Sequence, residues 1–219
     1  MRHARMILWA VVMLSGSLST TEGMAQQPPQ EAELDARVRD FLEQNRYQWR
    51  DMNVPMADGQ VLYDLVVDNG YTRALEIGTS TGHSAIWIAW ALSKTGGKLI
   101  TVEIDERRYR QALANFEEAG LSEYIDARLA DAHQLVPDLE GPFDFVFVDA
   151  DKGWYSNYFE AVLPKLEVGG CFTAHNVSGR GSRGMRGFMD LLESTANLET
   201  EIVRGGAGIS VSYLRPPRD

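Results

Sequence analysis

From Thr72 onward the sequence alternates between short apolar, β-rich runs and longer stretches with helical spacing. Strands that are joined by helical crossovers run parallel, because each crossover returns the chain to the same edge of the sheet. We predict five such strands, at 74–77, 98–102, 125–129, 143–148 and 170–174. The intervening helices are predicted to begin near Gly82, Glu106, Ala132, Trp154 and Arg183. This alternation is typical of an α/β fold with helices on both faces of the sheet.

The last two apolar runs, 198–204 and 209–214, differ from the others in their connection. Only the short segment Gly205-Gly206-Ala207-Gly208 separates them. A turn that short joins antiparallel neighbours. We therefore predict a seven-stranded, mostly parallel sheet whose final strand runs against the rest.

Residues 1–25 have the three-part layout of a secretory signal. Two arginines precede an uncharged, mostly apolar run at 6–21, and small residues follow at Gly23 and Ala25. The apolar centre is shorter than the roughly 20 residues that a permanent transmembrane helix needs. We expect export to the periplasm or the medium, with no membrane span after cleavage. A membrane anchor formed by an uncleaved signal, or a cytoplasmic protein whose translation starts at Met24, stays open.

The rest of the chain is predicted to form a Gln/Pro-rich spacer at 26–31 and a single domain at 32–219. A length of 219 residues with 44% hydrophobic content suits one compact core. Helical spacing predicts a first helix from about Ala32 to Trp49 and a second from Gly59 to Val67.

Composition excludes several classes of protein. The single cysteine, Cys171, forms no intramolecular disulfide, and no Cys/His cluster has zinc-ligand spacing. The net charge is −10, and no run of lysines and arginines occurs. Such a chain repels phosphate backbones, so we predict no nucleic-acid partner.

Polar residues and glycines follow the first two strands. Gly78 and Gly82 allow a tight turn from strand to helix and a close approach of backbone to ligand. The third glycine of a dinucleotide fingerprint is missing, which argues against a nicotinamide-dependent oxidoreductase. Glu103 ends the second strand, where a carboxylate can accept hydrogen bonds from ribose hydroxyls. The alternative is that Glu103 caps the following helix.

A second group of polar residues follows the third and fourth strands. Asp131 and Ala132 come after the third strand, and Asp149, Asp151 and Lys152 come after the fourth. Open α/β sheets bind ligands beyond the carboxyl ends of their strands. The alternatives are that Asp149 caps a helix and that Lys152 is a solvated charge.

Taken in order, these motifs resemble those of the catechol and caffeoyl-CoA O-methyltransferase families. The likeness extends from about Arg50 to Gly179 and includes Met52-Asn53-Val54, Gly59-Gln60 and Asn176-Val177. It implies a Rossmann-like class I methyltransferase fold. It also implies methyl transfer from S-adenosylmethionine to a hydroxyl of a small phenolic or catechol-like acceptor, assisted by a divalent metal.

The resemblance assigns a role to each matching position. The methionine and sulfonium end of the cofactor would be lined by Val54, Glu76, Gly78, Thr79 and Ser84. Glu103 would hold the ribose, and Asp131 and Ala132 would border the adenine. Asp149 would lie between cofactor and metal, and Lys152 would act as the base near the acceptor hydroxyl. Relatives of this kind are often homodimers.

One position departs from the family pattern. The residues after the fifth strand are His175-Asn176, where the pattern has Asp-Asn. The implied metal ligands are therefore Asp149, His175 and Asn176. Histidine removes a negative charge and favours manganese, iron or zinc over magnesium. The chain can thus use a softer ion, bind metal weakly or have lost it, and a structural role for His175 stays equally open.

Three further interpretations stay open. A catalytically impaired protein that binds S-adenosylmethionine, S-adenosylhomocysteine or another nucleoside is the alternative function, because of the His175 departure and the export signal. His83 is interpreted as incidental to the site. The segment 179–187, with Arg180, Arg183 and Arg186 among its glycines, is predicted to be a mobile acceptor-side loop or a solvated loop.

Overall fold

A computed structural model describes residues 29–178, 183–204 and 206–217. The helices in these ranges are α1 Pro29–Gln44, α2 Met56–Asn69, α3 His83–Thr95, α4 Glu106–Ala119, α5 Ala132–Asp138, α6 Tyr155–Val162 and α7 Arg183–Ser194. The strands are β1 Arg73–Ile77, β2 Lys98–Glu103, β3 Ile125–Leu129, β4 Phe143–Val148, β5 Leu166–His175, β6 Leu198–Val203 and β7 Ile209–Leu214. The predicted signal at 1–25 lies outside the described residues.

The strands form one sheet in the order β3-β2-β1-β4-β5-β7-β6. The pairs among β1 to β5 are parallel, and β7 is antiparallel to both β5 and β6. This confirms the predicted seven-stranded sheet with a reversed final strand. Because β1 and β4 are neighbours although distant in sequence, the strand order reverses between them, which is where such sheets form a crevice.

Alternate residues of each strand enter two separate cores. Phe145 and Phe147 pack with α2 and α3 on one face, and Val146 and Val148 pack with α6 and α7 on the other. Every residue of α3 from His83 to Leu92 is buried. Because both faces are covered, the carboxyl ends of the strands form the exposed edge that holds the predicted polar residues.

The first helix begins earlier and ends earlier than predicted. It starts at Pro29, inside the predicted spacer, because proline suits the first turn of a helix, where its missing N–H is not needed. It ends at Gln44 although the apolar spacing continues to Trp49. The Trp49 ring instead stacks on His83 at 4.5 Å between ring centroids. Tertiary packing, not helical continuation, accounts for that apolar residue.

The helix predicted to begin near Arg183 is confirmed, because α7 starts at that residue, and the overlapping loop prediction at 179–187 is therefore wrong for 183–187. Residues 179–182, including Arg180, lie outside the described residues. Met185, Phe188 and Leu192 are buried at helical spacing. Burial of this apolar stripe outweighs the low helix propensity of the neighbouring glycines.

Among the residues that the structure describes, no helix has the length and apolar character needed to cross a membrane.

Candidate active site

A cavity of about 670 Å³ opens at the carboxyl ends of β1 to β5. It receives side chains from the loops after all five strands. Eight of the predicted site residues line it: Gly78, Glu103, Asp131, Ala132, Asp149, Lys152, His175 and Asn176. Residues that are separated by nearly one hundred positions in sequence therefore share one crevice.

Backbone strain concentrates at this cavity. Met52, Ser80, Asp151 and Asn176 have φ values of 52°, 49°, 43° and 60°, and all four line the cavity. Non-glycine residues rarely adopt this left-handed region, and strained residues cluster at functional sites. The distribution marks this cavity as the place where the fold accepts strain.

The glycines of the turn after β1 are required by close packing. Gly78 has φ of 102°, and a Cβ there would lie 2.8 Å from the Cβ of Ala150, in the loop after β4. A Cβ at Gly82 would lie 2.5 Å from the Phe116 ring of α4. The turn thus packs tightly between the loop after β4 and helix α4, and this packing holds its backbone at the cavity wall.

Glu103 is held by backbone amides of two segments. Its carboxylate accepts hydrogen bonds from the N–H groups of Ser80 at 2.7 Å, Ile104 at 3.0 Å and Asp105 at 2.9 Å. The helix-cap alternative is wrong, because Asp105 caps α4 by accepting a hydrogen bond from the Arg108 amide. Glu103 therefore lies beside the glycine turn with its carboxylate at the cavity.

The other four predicted cofactor residues do not line the cavity. Val54, Thr79 and Ser84 are nearly inaccessible, and Glu76 is completely buried. The Thr101 hydroxyl donates a hydrogen bond to Glu76. Burial raises the pKa of Glu76 to about 8, with hydrogen bonds from Ser84 and Thr101 opposing part of the rise. Oε1 of Glu76 has no hydrogen-bond partner among the described residues.

The segment before α2 is bound by side-chain contacts to α4 and to the glycine turn. Arg107 and Arg108 of α4 both contact the Asp51 carboxylate at 2.9 Å. Hydrogen bonds from these two arginines lower the pKa of Asp51 to about 2. The Asn53 amide donates to the Thr81 hydroxyl at 2.8 Å. Sequence interpretation found Asn53 but missed Asp51 and Arg108, whose pairing joins separate elements.

Asp131 caps helix α5 and also lines the cavity. Its side chain accepts a hydrogen bond from the His133 amide at 2.9 Å and so caps α5. The His133 ring stacks on Trp154 at 3.8 Å between centroids, and its Nε2 lies 3.1 Å from Oδ2 of Asp151. His133 lines the cavity and was missed in the sequence, where it follows Asp131-Ala132 without a motif of its own.

His175 lies between two carboxylates. Its Nδ1 is 3.0 Å from Oδ2 of Asp149, and its Nε2 is 2.8 Å from Oδ2 of Asp58, in the first turn of α2. The ring is 3% exposed and Asp58 is 1% exposed. Burial alone would lower the pKa of His175, but the hydrogen bonds and charges of Asp149 and Asp58 outweigh it and raise that pKa. Asp58 was not predicted, because an acid in the first turn of a helix ordinarily serves the helix dipole.

The predicted metal ligands come together but do not form a site that suits a divalent metal. Both ring nitrogens of His175 are engaged with carboxylates, so neither offers a lone pair to a cation. The parts of the chain that the structure describes contain no group of three or more His, Cys, Asp or Glu arranged to hold a metal ion. The donor set therefore disagrees with the metal that the resemblance implies.

Asp149 and Lys152 occupy the loop after β4. The alternative of Asp149 as a helix cap is wrong, because α6 begins only at Tyr155. Lys152 is exposed and lines the same cavity as Asn176. An acid and a lysine thus lie close together in one loop at the cavity.

His83 is a packing residue, as expected. Its Nδ1 donates to the Val54 carbonyl at 2.7 Å, and its Nε2 accepts from the Trp87 indole at 3.1 Å. Burial lowers the pKa of His83 to about 4, although the hydrogen bond to Val54 opposes the shift. The ring is neutral and joins α3 to the segment before α2.

Comparison with solved structures shows which class of protein has this fold and this edge. The O-methyltransferase from Bacillus cereus in complex with S-adenosylhomocysteine is 26% identical, with a TM-score of 0.68 over 88% of this chain and 94% of its own. The Podospora anserina methyltransferase PaMTH1 has a TM-score of 0.72 at 18% identity, over 85% of this chain and 94% of its own, which shows the fold alone. The fold is the Rossmann-like methyltransferase fold.

Sequence comparison gives the family. Residues 26–184 match the O-methyltransferase family, so the chain belongs to it. Caffeoyl-CoA O-methyltransferase 1 of Zea mays is 34% identical over 70% of this chain and 61% of its own length. Catechol O-methyltransferase of Niastella koreensis is 41% identical over 47% of this chain and 48% of its own length. The chain thus matches about half to three fifths of these two relatives.

Proposed function

We propose that this protein transfers a methyl group from S-adenosylmethionine to a hydroxyl of a small phenolic acceptor. One observation carries the proposal: a single cavity is lined both by Glu103, beside the glycine turn, and by Asp149, Lys152 and Asn176. Membership of the O-methyltransferase family and the catechol and caffeoyl-CoA relatives support it.

The described residues suit the cofactor in two respects. Glu103 presents a carboxylate whose position is set by three amides, so it can accept hydrogen bonds from a ribose diol without rearranging. The partnerless Oε1 of Glu76, directly behind the turn, is an acceptor that an ammonium group would satisfy. When bound, S-adenosylmethionine supplies a methyl group on a positively charged sulfur.

The acceptor end is suited to taking a proton. A phenol with a pKa near 10 is a poor nucleophile at neutral pH. The amine of Lys152, when uncharged, would accept the hydroxyl proton as the oxygen gains the methyl group. The cavity walls would align the acceptor and exclude water. The expected divalent metal does not suit the donor set, and no step is assigned to it.

Methyl transfer is tested with labelled cofactor and a panel of phenols and catechols. The wild-type chain is expected to label at least one acceptor. Lys152→Met is expected to lower kcat by about 10²–10⁴-fold with little change in affinity for S-adenosylhomocysteine. Glu103→Gln is expected to weaken that affinity by about 10-fold, as expected for loss of a charge-assisted hydrogen bond. Arg110→Gln is the control, because its exposed ion pair with Glu106 lies within α4, away from the cavity.

A wild-type chain that binds S-adenosylhomocysteine but methylates nothing in the panel would support the impaired-binding alternative. If Lys152→Met transferred methyl groups at the wild-type rate, the role of Lys152 as base would be withdrawn.

We also propose export through the signal at 1–25 and assembly as a homodimer. Mass analysis of the secreted or periplasmic protein would locate the cleavage point expected after Ala25. Sedimentation of the purified chain would give the oligomeric state.

A further inference from the structure

The position that the resemblance assigns to a metal is filled by a hydrogen-bonded chain of three side chains. Asp58 comes from α2, Asp149 from the loop after β4 and His175 from the end of β5. The imidazole joins the two carboxylates at 2.8 and 3.0 Å. An ionised carboxylate only accepts hydrogen bonds, so both ring nitrogens must donate, and a ring that donates from both nitrogens carries a positive charge.

The surroundings hold this chain in place. The Ala207 amide donates to Oδ2 of Asp58 at 3.1 Å, and a side chain at Gly206 would collide with the same carboxylate. The Tyr155 hydroxyl donates to the carbonyl of His175 at 3.2 Å. The β6–β7 turn therefore covers Asp58 and holds its carboxylate against the imidazole.

Resting on the proposed function, we infer that the imidazolium of His175, clamped between Asp58 and Asp149, replaces the divalent cation at the acceptor end, so that methyl transfer by this chain requires no metal. His175 is a positioning residue: it compensates the charge of Asp149 and keeps that carboxylate directed at the cavity. Asp58, which no part of the family resemblance marks, is the second anchor.

The substitution has a consequence for the acceptor. A divalent cation selects acceptors with two neighbouring oxygens, because both bind to it. A buried imidazolium with both N–H groups already engaged has no site for two acceptor oxygens. The acceptor of this chain therefore needs one hydroxyl, not a vicinal pair.

The first test uses cation binding and does not depend on turnover. Thermal unfolding of the full chain with S-adenosylhomocysteine is measured with and without millimolar MgCl₂ or MnCl₂, because a ligand that binds only the native state raises Tm. The wild-type chain is expected to show no saturable shift. A saturable rise of several degrees would overturn the inference, whether or not any acceptor is methylated.

The second test converts the chain into a metal protein. His175→Asp would place a third carboxylate beside Asp58, Asp149 and the Asn176 amide, a set of oxygen ligands that suits magnesium or manganese. This variant is expected to gain a manganese-dependent rise in Tm. His175→Asn is the matched control of equal size, and it is expected to gain much less. If His175→Asp does not fold, Asp58→Asn/His175→Asp, with one fewer negative charge, replaces it.

The third test uses activity and the charge of the ring. Methyl transfer to a monohydroxy phenol is expected to continue in EDTA at a rate within about twofold of that with magnesium. Nitrogen-15 NMR at neutral pH is expected to show one histidine with both ring nitrogens protonated, absent in His175→Asn. Loss of activity in EDTA, or a neutral ring at His175, would overturn the inference. Absence of methyl transfer under every condition would count against the proposed function, while the cation and NMR results would still decide this one.

Discussion

Two buried histidines lie within the same domain and differ in charge: one ring is neutral and the other is positive. His83 is behind the glycine turn and His175 is at the end of β5, and neither is more than 3% exposed. His83 has one acceptor and one donor as partners, so its ring keeps one proton and is neutral. His175 has two carboxylates as partners, so its ring keeps both protons. Burial alone does not decide the charge of a histidine; the partners that the fold supplies do.

The largest expected effect comes from removing the charged ring. His175→Leu would leave the carboxylates of Asp58 and Asp149 buried without a cation, and we expect it to lower the free energy of unfolding by about 3–5 kcal/mol. Urea denaturation measures the loss. Asp58→Asn/His175→Leu is expected to recover part of it, because one stranded charge is gone. If His175→Leu lowered the free energy of unfolding by no more than His83→Phe does, the inferred difference in charge between the two histidines would be contradicted.

The neutral ring of His83 is expected to make the protein less stable as the pH falls below 6.5. The folded-state pKa of His83 is lowered to about 4 from its ordinary value of 6.5. Its contribution is therefore complete above pH 6.5 and is lost as the pH falls towards 4, because the unfolded chain binds the proton first. The loss is on the order of 3 kcal/mol. His83→Phe should flatten this part of a plot of Tm against pH; an unchanged slope would show that His83 is not its source.

A smaller effect is expected at the turn that covers Asp58. Gly206 has φ of 50°, and a methyl group there would collide with the Asp58 carboxylate. We expect Gly206→Ala to cost about 1–3 kcal/mol from crowding, in addition to about 1 kcal/mol for the backbone conformation. Gly96→Ala is the matched control, because Gly96 has φ of 76° but no atom within 4 Å of an added Cβ. Equal losses of Tm in the two variants would show that the turn does not press on Asp58.

The smallest effect is expected at Glu76, the buried acid of β1. Burial raises the pKa of Glu76 to about 8, so the side chain is mostly protonated at pH 7 and resembles glutamine. We expect Glu76→Gln to change the free energy of unfolding by less than about 1 kcal/mol below pH 4.5, where the acid is protonated in both the folded and the unfolded chain. In the wild type, the stability from protonated Glu76 is complete below pH 4.5 and is lost as the pH rises through 8. Denaturation at pH 6 and pH 9 should show that slope reduced in the variant.

The sheet was predictable because its signals are local. Alternating strands and helices, and a short glycine turn before β7, follow from the spacing of neighbouring residues. The errors in helix bounds have one cause in common. Trp49 stacks on His83 outside α1, and Met185 is buried on a helix face inside the segment 179–187, where glycines suggested a loop. In both places a distant partner decides the use of an apolar residue.

The candidate site divides in the same way. The chain itself places acids and a lysine directly after strands, and parallel strands bring their carboxyl ends to one edge, so Glu103, Asp149 and Lys152 could be found from spacing. Asp58 could not, because it meets His175 across 117 positions and comes from a helix, not a strand end. Nor could the charge of His175, since an imidazole takes its protonation state from whatever acceptors lie against it. Local pattern reveals which groups are available, and packing alone selects the pairs that meet.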